Sequence, residues 1–109
     1  MILNVDNFKS TLKGISIIEV SGESCANCYS LMPLLAAYVK KRDDCMLHHL
    51  EVSEETMPLV EELHVVSVPM IIICHDDEIM ASCRGFQPEE ILTIWLDSKI
   101  AEIKQQYHI

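Results

Sequence analysis

Cys25 and Cys28, separated by Ala26 and Asn27, are the residues of this chain best suited to chemistry. Two thiols one helical turn apart can exchange with a disulfide, one sulfur attacking and the other resolving. The same spacing also serves zinc or iron, and free cysteines are often plain core residues. The flanks bear on the choice. Upstream, Ile15-Ser16-Ile17-Ile18-Glu19-Val20 is rich in β-branched residues and bounded by Gly14 and Gly22, which predicts a buried strand. Downstream, Leu31, Leu34, Leu35, Tyr38 and Val39 recur at helical spacing before Lys40-Lys41-Arg42, whose charges suit a helix C-terminus. The cysteines therefore open a helix. A thiol there faces free backbone N–H groups and the positive end of the helix dipole, so its pKa should fall from about 8.5 into the range of roughly 3.5–7.5. Cys25 is the expected nucleophile, and Cys28, pointing inward one turn later, the resolving thiol.

Glu19 is costly to bury ionised in an apolar strand, so its pKa is expected to rise and make it a proton acceptor for Cys28 through a water. The plainer alternative is an acid at the strand's exposed end. Among potential metal ligands, His48 and His49 should point to opposite faces of a strand, so at most one could join the cysteines. Cys74-His75 has no second pair, and no metal is expected. Trp95, the only tryptophan, is most simply a core residue.

A chain of 109 residues, 50% hydrophobic and with only three glycines, is long and apolar enough to form one domain, residues 1–109, with its own core. Its 8 basic against 17 acidic residues give a net charge of −9, which repels nucleic acid and anionic membranes. No apolar run is long enough to span a bilayer, and no basic, apolar leader opens the chain. Cys45, Cys74 and Cys83 fall outside the pair, an odd set that suits a reducing compartment, so the expected location is cytoplasmic.

The elements that must position the pair follow in order. Ile2-Leu3-Asn4-Val5 suggests a small edge strand, and Asp6 or Asn7 can cap a short helix carrying Phe8 and Leu12 that Gly14 stops. Met46 to Val52 is a second strand, with Ser53 capping a helix from Glu54 to about Leu63. Met70-Ile71-Ile72-Ile73-Cys74 predicts a strand buried on both faces, turning through His75-Asp76-Asp77-Glu78 into an antiparallel partner, Ile79 to Cys83. Pro88 should sit in the first turn of a last helix whose Ile91, Ile94, Trp95, Ser98 and Ile100 trace one face.

These residues together resemble the thioredoxin-like family over nearly the whole chain. Members share a Cys-x-x-Cys after the central strand, a proline five residues past it, a cis-proline before the hairpin and a glycine sixteen residues beyond; here these are Cys25 and Cys28, Pro33, Pro69 and Gly85. Glu19, six residues before Cys25, stands where thioredoxins carry a buried acid. The resemblance implies a thioredoxin fold of the α/β class: a central mixed sheet of four to five strands flanked by helices on both faces. It further implies that Val68, Pro69 and Gly85 bind the substrate chain, and that Val68-Pro69 is cis. On its own chemistry, Pro33 removes a hydrogen bond and should kink its helix. The motif departs from the usual Trp-Cys-Gly-Pro-Cys-Lys: Ser24 precedes the pair, Ala26-Asn27 lie within it and Tyr29 follows. Asn27 restores a backbone N–H near the sulfurs, while Glu23 opposes a thiolate.

The expected activity is thiol–disulfide exchange by a monomer with no bound cofactor, the electrons residing in the two thiols. Its expected partners are disulfides of substrate proteins and a reductase or other dithiol protein as electron donor, with neither nucleic acid nor membrane. The alternatives are a binding module that holds a chain beside Pro69 without turnover, and a dithiol metal carrier.

Overall fold

The computed structural model describes residues 1–109. In chain order the elements are α1 (Phe8–Thr11), β1 (Ile15–Ser21), α2 (Ala26–Lys40), β2 (Met46–Glu51), α3 (Met57–Glu62), β3 (Met70–His75), β4 (Glu78–Arg84) and α4 (Glu89–Tyr107). The strands form one mixed sheet in the order β2-β1-β3-β4, with β1 parallel to β2 and antiparallel to β3, and β4 antiparallel to β3. This is the thioredoxin fold. No helix is long and apolar enough to cross a membrane.

β1 is central and buried along all seven residues, so its side chains feed two cores. Ile15 and Ile17 pack with Leu31 and Leu35 of α2 and Leu92, Leu96 and Ile100 of α4. Ile18 and Val20 face the other way, toward Phe8 of α1, Leu50, and Leu59 and Val60 of α3. Each such side chain, fully buried, contributes about 1.5–3 kcal/mol relative to exposure. Because helices cover both faces, β1 and β3 carry nearly continuous apolar runs.

Four local expectations are corrected. The N-terminal edge strand amounts to a single bridge of Ile2 to His49, because Asn4 and Asn7 exchange side chain-to-backbone bonds at 2.8 Å and turn the chain away. Asn7 is still the N-cap residue of α1, but those bonds occupy its side chain; Gly14, with φ +67°, lies beyond the helix and turns the chain into β1. The helix expected from Glu54 begins at Met57: Ser53 closes a turn, its N–H donating to Thr56 Oγ1, and Pro58 occupies the first helical turn. In α4, Pro88 is the N-cap rather than a first-turn residue, and the buried face is Leu92, Leu96, Ile100 and Ile103. Ile91 and Ile94 are 54% and 70% exposed. The helix has apolar residues on more than one side, and contact with Ile71 and Ile73 of β3 selects which side turns inward. Trp95 is half-buried against that same core.

Candidate active site

The site forms where β1 ends and α2 begins. Gly22-Glu23-Ser24 makes the turn, with Ser24 in the left-handed region at φ +60°. Cys25 is extended and is the N-cap of α2, its sulfur accepting the Cys28 N–H at 3.3 Å. That sulfur thus does the work usually done by a serine or aspartate oxygen, taking up one of the helix's unpaired donors. Cys25 and Cys28 are joined in a disulfide, their Cα atoms 5.3 Å apart. The two sulfurs are unequal: Cys25 is partly accessible, whereas Cys28 is 4% exposed. No acidic residue lies in the first turn of α2 to oppose a thiolate. Ala26, Asn27 and Ser24 are exposed around the pair, and Tyr29 projects into solvent at 78% exposure. α2 runs from Ala26 to Lys40 with Pro33 inside it.

A cleft of about 530 Å³ opens beside the disulfide, lined by Cys25, Cys28, Glu19, Tyr29, Pro33, His49 and Glu51 among others. Glu19 is fully buried, which sets aside the strand-end alternative. Neither carboxylate oxygen is isolated: the Ser21 hydroxyl donates to Oε2, and His49 Nδ1 lies 2.6 Å from Oε1. His49 Nε2 in turn lies 3.2 Å from Glu51 Oε2, at the cleft mouth. Sequence reasoning weighed His49 only as a metal ligand and missed it as the partner of Glu19. The signal was the parallel pairing of β1 with β2, which sets Glu19 directly opposite His49 on the same face.

The other expected binding residues stand next to this cleft rather than in its wall. Val68-Pro69 is cis, Pro69 is buried, and Val68 is 37% exposed. Val68 closes on the turn before the cysteines: a Cβ on Gly22 would meet Val68 Cγ2 at 3.1 Å. Only glycine allows so close an approach without displacement. Gly85, at φ +83°, donates its N–H to the Pro69 carbonyl at 2.9 Å and so braces the loop from behind. No backbone hydrogen bond within the chain occupies the Val68 N–H or C=O.

The three remaining cysteines are unpaired and differ in kind from the site. Burial and the nearby Asp44 push Cys45 up to about 11, and burial with Asp77 pushes Cys74 up to about 12. Burial also raises Cys83. Each is held as a thiol at neutral pH, a poor nucleophile.

The family model described as Thioredoxin matches residues 1–98. A thioredoxin of Chlamydia pneumoniae is 26% identical over 93 residues, covering 84% of this chain and 90% of that one. Among solved structures, a chain of the complex of ferredoxin:thioredoxin reductase with thioredoxin f2 superposes with a TM-score of 0.82 at 19% identity, covering 90% of this chain and 92% of that one. Thioredoxin f2 of Chlamydomonas reinhardtii superposes at 0.76 and 18% identity, over 97% and 94% of the two chains. With a disulfide-bonded Cys-x-x-Cys at the head of α2 and a family match over most of its length, the chain belongs to the thioredoxin family and is a thiol–disulfide oxidoreductase.

Proposed function

We propose that the protein reduces disulfides of other proteins by dithiol exchange, with Cys25 as nucleophile and Cys28 as resolving thiol. The inequality of the two sulfurs carries this reading: one is partly accessible and caps the helix, the other is buried one turn behind it. The Cys25 thiolate attacks a substrate sulfur, forming a Cys25–substrate disulfide and expelling the substrate's second sulfur as a thiolate. Cys28 then gives its proton, through a water, to Glu19 and attacks Cys25. The Cys25–Cys28 bond forms, the first substrate sulfur leaves as a thiolate, and two electrons have passed to the substrate. Proximity makes the second step fast, since Cys28 is held at high effective concentration.

The free Val68 N–H and C=O, beside Gly22 and braced through Pro69 and Gly85, offer a strand edge for the substrate's backbone. The resting disulfide must be recharged by a reductase or another dithiol protein. The likeness to a chain from a complex that contains ferredoxin:thioredoxin reductase supports a reductase as that donor. No bound cofactor enters this cycle. The three unpaired thiols support a reducing, cytoplasmic setting, in which the protein serves electron transport and redox homeostasis as a monomeric single domain.

The test is repeated turnover. With dithiothreitol as electron source, sub-stoichiometric protein should reduce many equivalents of insulin disulfide, and Cys25→Ser should abolish this. Stoichiometric binding without turnover would instead support a module that only holds its partner.

A further inference from the structure

Glu19, His49 and Glu51 form a row from the buried side of the cleft to its mouth, at 2.6 Å and 3.2 Å, with side-chain exposures of 0%, 27% and 49%. Carboxylate oxygens only accept, so both contacts can be hydrogen bonds only if two protons lie between the three groups. Either the imidazole carries both, or it carries one and a carboxyl the other. The row therefore stores a proton that can be held at either end of the ring. Glu19 alone has no such route, because its second oxygen is taken by the Ser21 hydroxyl and the residue has no exposed surface.

We propose, resting on the dithiol-exchange reading, that His49 is a positioning residue that carries the Cys28 proton from Glu19 to Glu51 and solvent. The transfer runs in the arrangement with one proton on Glu19 Oε1 and one on His49 Nε2, which leaves Nδ1 free to accept. When Cys28 attacks Cys25, its proton passes to Glu19 as the proton on Oε1 moves to Nδ1 and Nε2 releases its own toward Glu51 and water. One proton leaves per turnover, and the ring, left with its proton on Nδ1, regains the starting tautomer by exchange with solvent before the next cycle. No electrons move along the row; the two electrons pass only between sulfurs. The groups that face His49 are Glu19 and Ser21 from β1, Glu51 from its own strand, and Cys25, Cys28 and Tyr29 lining the cleft from the α2 side. From the N-terminal segment come Ile2 and the Met1 ammonium, which donates to the Leu47 carbonyl two residues along β2. Among these, only the carboxylates are within hydrogen-bond reach of the ring.

The test reads both sulfur steps in one trace. The reduced full-length protein is mixed with 5,5′-dithiobis(2-nitrobenzoate): attack by Cys25 releases one coloured thiolate, and resolution by Cys28 releases a second. His49→Gln keeps a donor toward Glu19 but cannot pass a proton. It should slow the second phase about tenfold at pH 7, leave the first within about twofold, and regain speed when imidazole is added. Glu51→Gln, at an exposed position, should slow the same phase by less. The proposal is overturned if His49→Gln resolves at the native rate from pH 6 to 8, if both phases slow together, or if the slowed phase does not respond to imidazole. A native protein that shows no second phase would remove the dithiol reading itself, and this proposal with it.

Discussion

His48 and His49 are neighbours on one strand and live in opposite surroundings. His48 points beneath α1 and α3, is 2% exposed, and neither ring nitrogen has a partner. Burial, with a smaller push from the Met1 ammonium, lowers its pKa below the usual 6.5. His49 points into the cleft and touches a carboxylate at each nitrogen. The difference shows that the strand supplies only alternation; what covers each face decides the chemistry. One face of β2 is sealed by the core of Leu50, Leu59 and Val60, while the other ends where α2 begins and stays open. A slip of one residue in the β1–β2 register would turn His49 to the sealed face and take it away from Glu19.

The contrast between an open chemical face and a sealed one can be broken at its strongest point by removing the buried sulfur. Cys28→Ser exposed to cell extract should accumulate covalent adducts that dithiothreitol dissolves, while Cys25→Ser should form almost none. Equal trapping by both variants would refute the division of labour. On the sealed side, Leu59→Ala should lower unfolding free energy by about 2–5 kcal/mol in denaturant titration, because it empties a site that is 2% exposed. Ile94→Ala, on the exposed side of α4, should stay within about 0.5 kcal/mol of native. A similar cost at both positions would mean that α4 packs by another face.

His48 sharpens the comparison through pH. Below about pH 6.5 the unfolded chain binds a proton at this imidazole that the folded chain disfavours. Stability should therefore fall as pH drops from 6.5 toward the lowered native value, by at most about 1.4 kcal/mol per pH unit, and level off beneath it. His48→Phe should flatten that stretch of the stability curve relative to the native protein; an unchanged slope would place the acid sensitivity elsewhere. Thiol reactivity provides a milder readout: iodoacetamide at pH 6 should label Cys25 of the reduced protein before Cys45, Cys74 or Cys83, by peptide mass spectrometry. Earlier labelling of Cys83 would reverse the assignment of the reactive thiol. The smallest expected effect is at Gly22, where alanine must push Val68 aside by a few tenths of an ångström. Gly22→Ala should weaken substrate capture by about twofold to fivefold while changing stability by less than about 1 kcal/mol. An unaffected capture rate would detach Val68 from the substrate edge.

Much of this molecule is legible in the chain itself, because the relevant signals are local. β-branched runs, the turn at Asp76-Asp77 and the spacing of Cys25, Cys28, Pro33, Pro69 and Gly85 identify the strands, the hairpin and the helix that the pair opens. The accessible and buried members of the cysteine pair also follow locally, since N-cap and first-turn positions differ within a single helical turn. Other features depend on what approaches from elsewhere. The inward face of α4 was not decidable from its apolar residues, since Ile91 and Leu92 are adjacent and only the contact with β3 prefers the latter. The start of α3 moved because Thr56 bonds back to the Glu51 carbonyl, a contact across five residues that no helix propensity encodes. Glu19 could be recognised as an acid in an apolar strand, with Ser21 two residues along on the same face, but its partner His49 could not, because that pairing requires β1 and β2 to lie parallel in one particular register. The sequence by itself determined the sulfur chemistry and the elements that frame it, through periodicity and turn residues acting over a few positions. The tertiary structure alone decided which imidazole meets the buried acid, since a contact across 30 residues depends on strand register and on which helix covers which face.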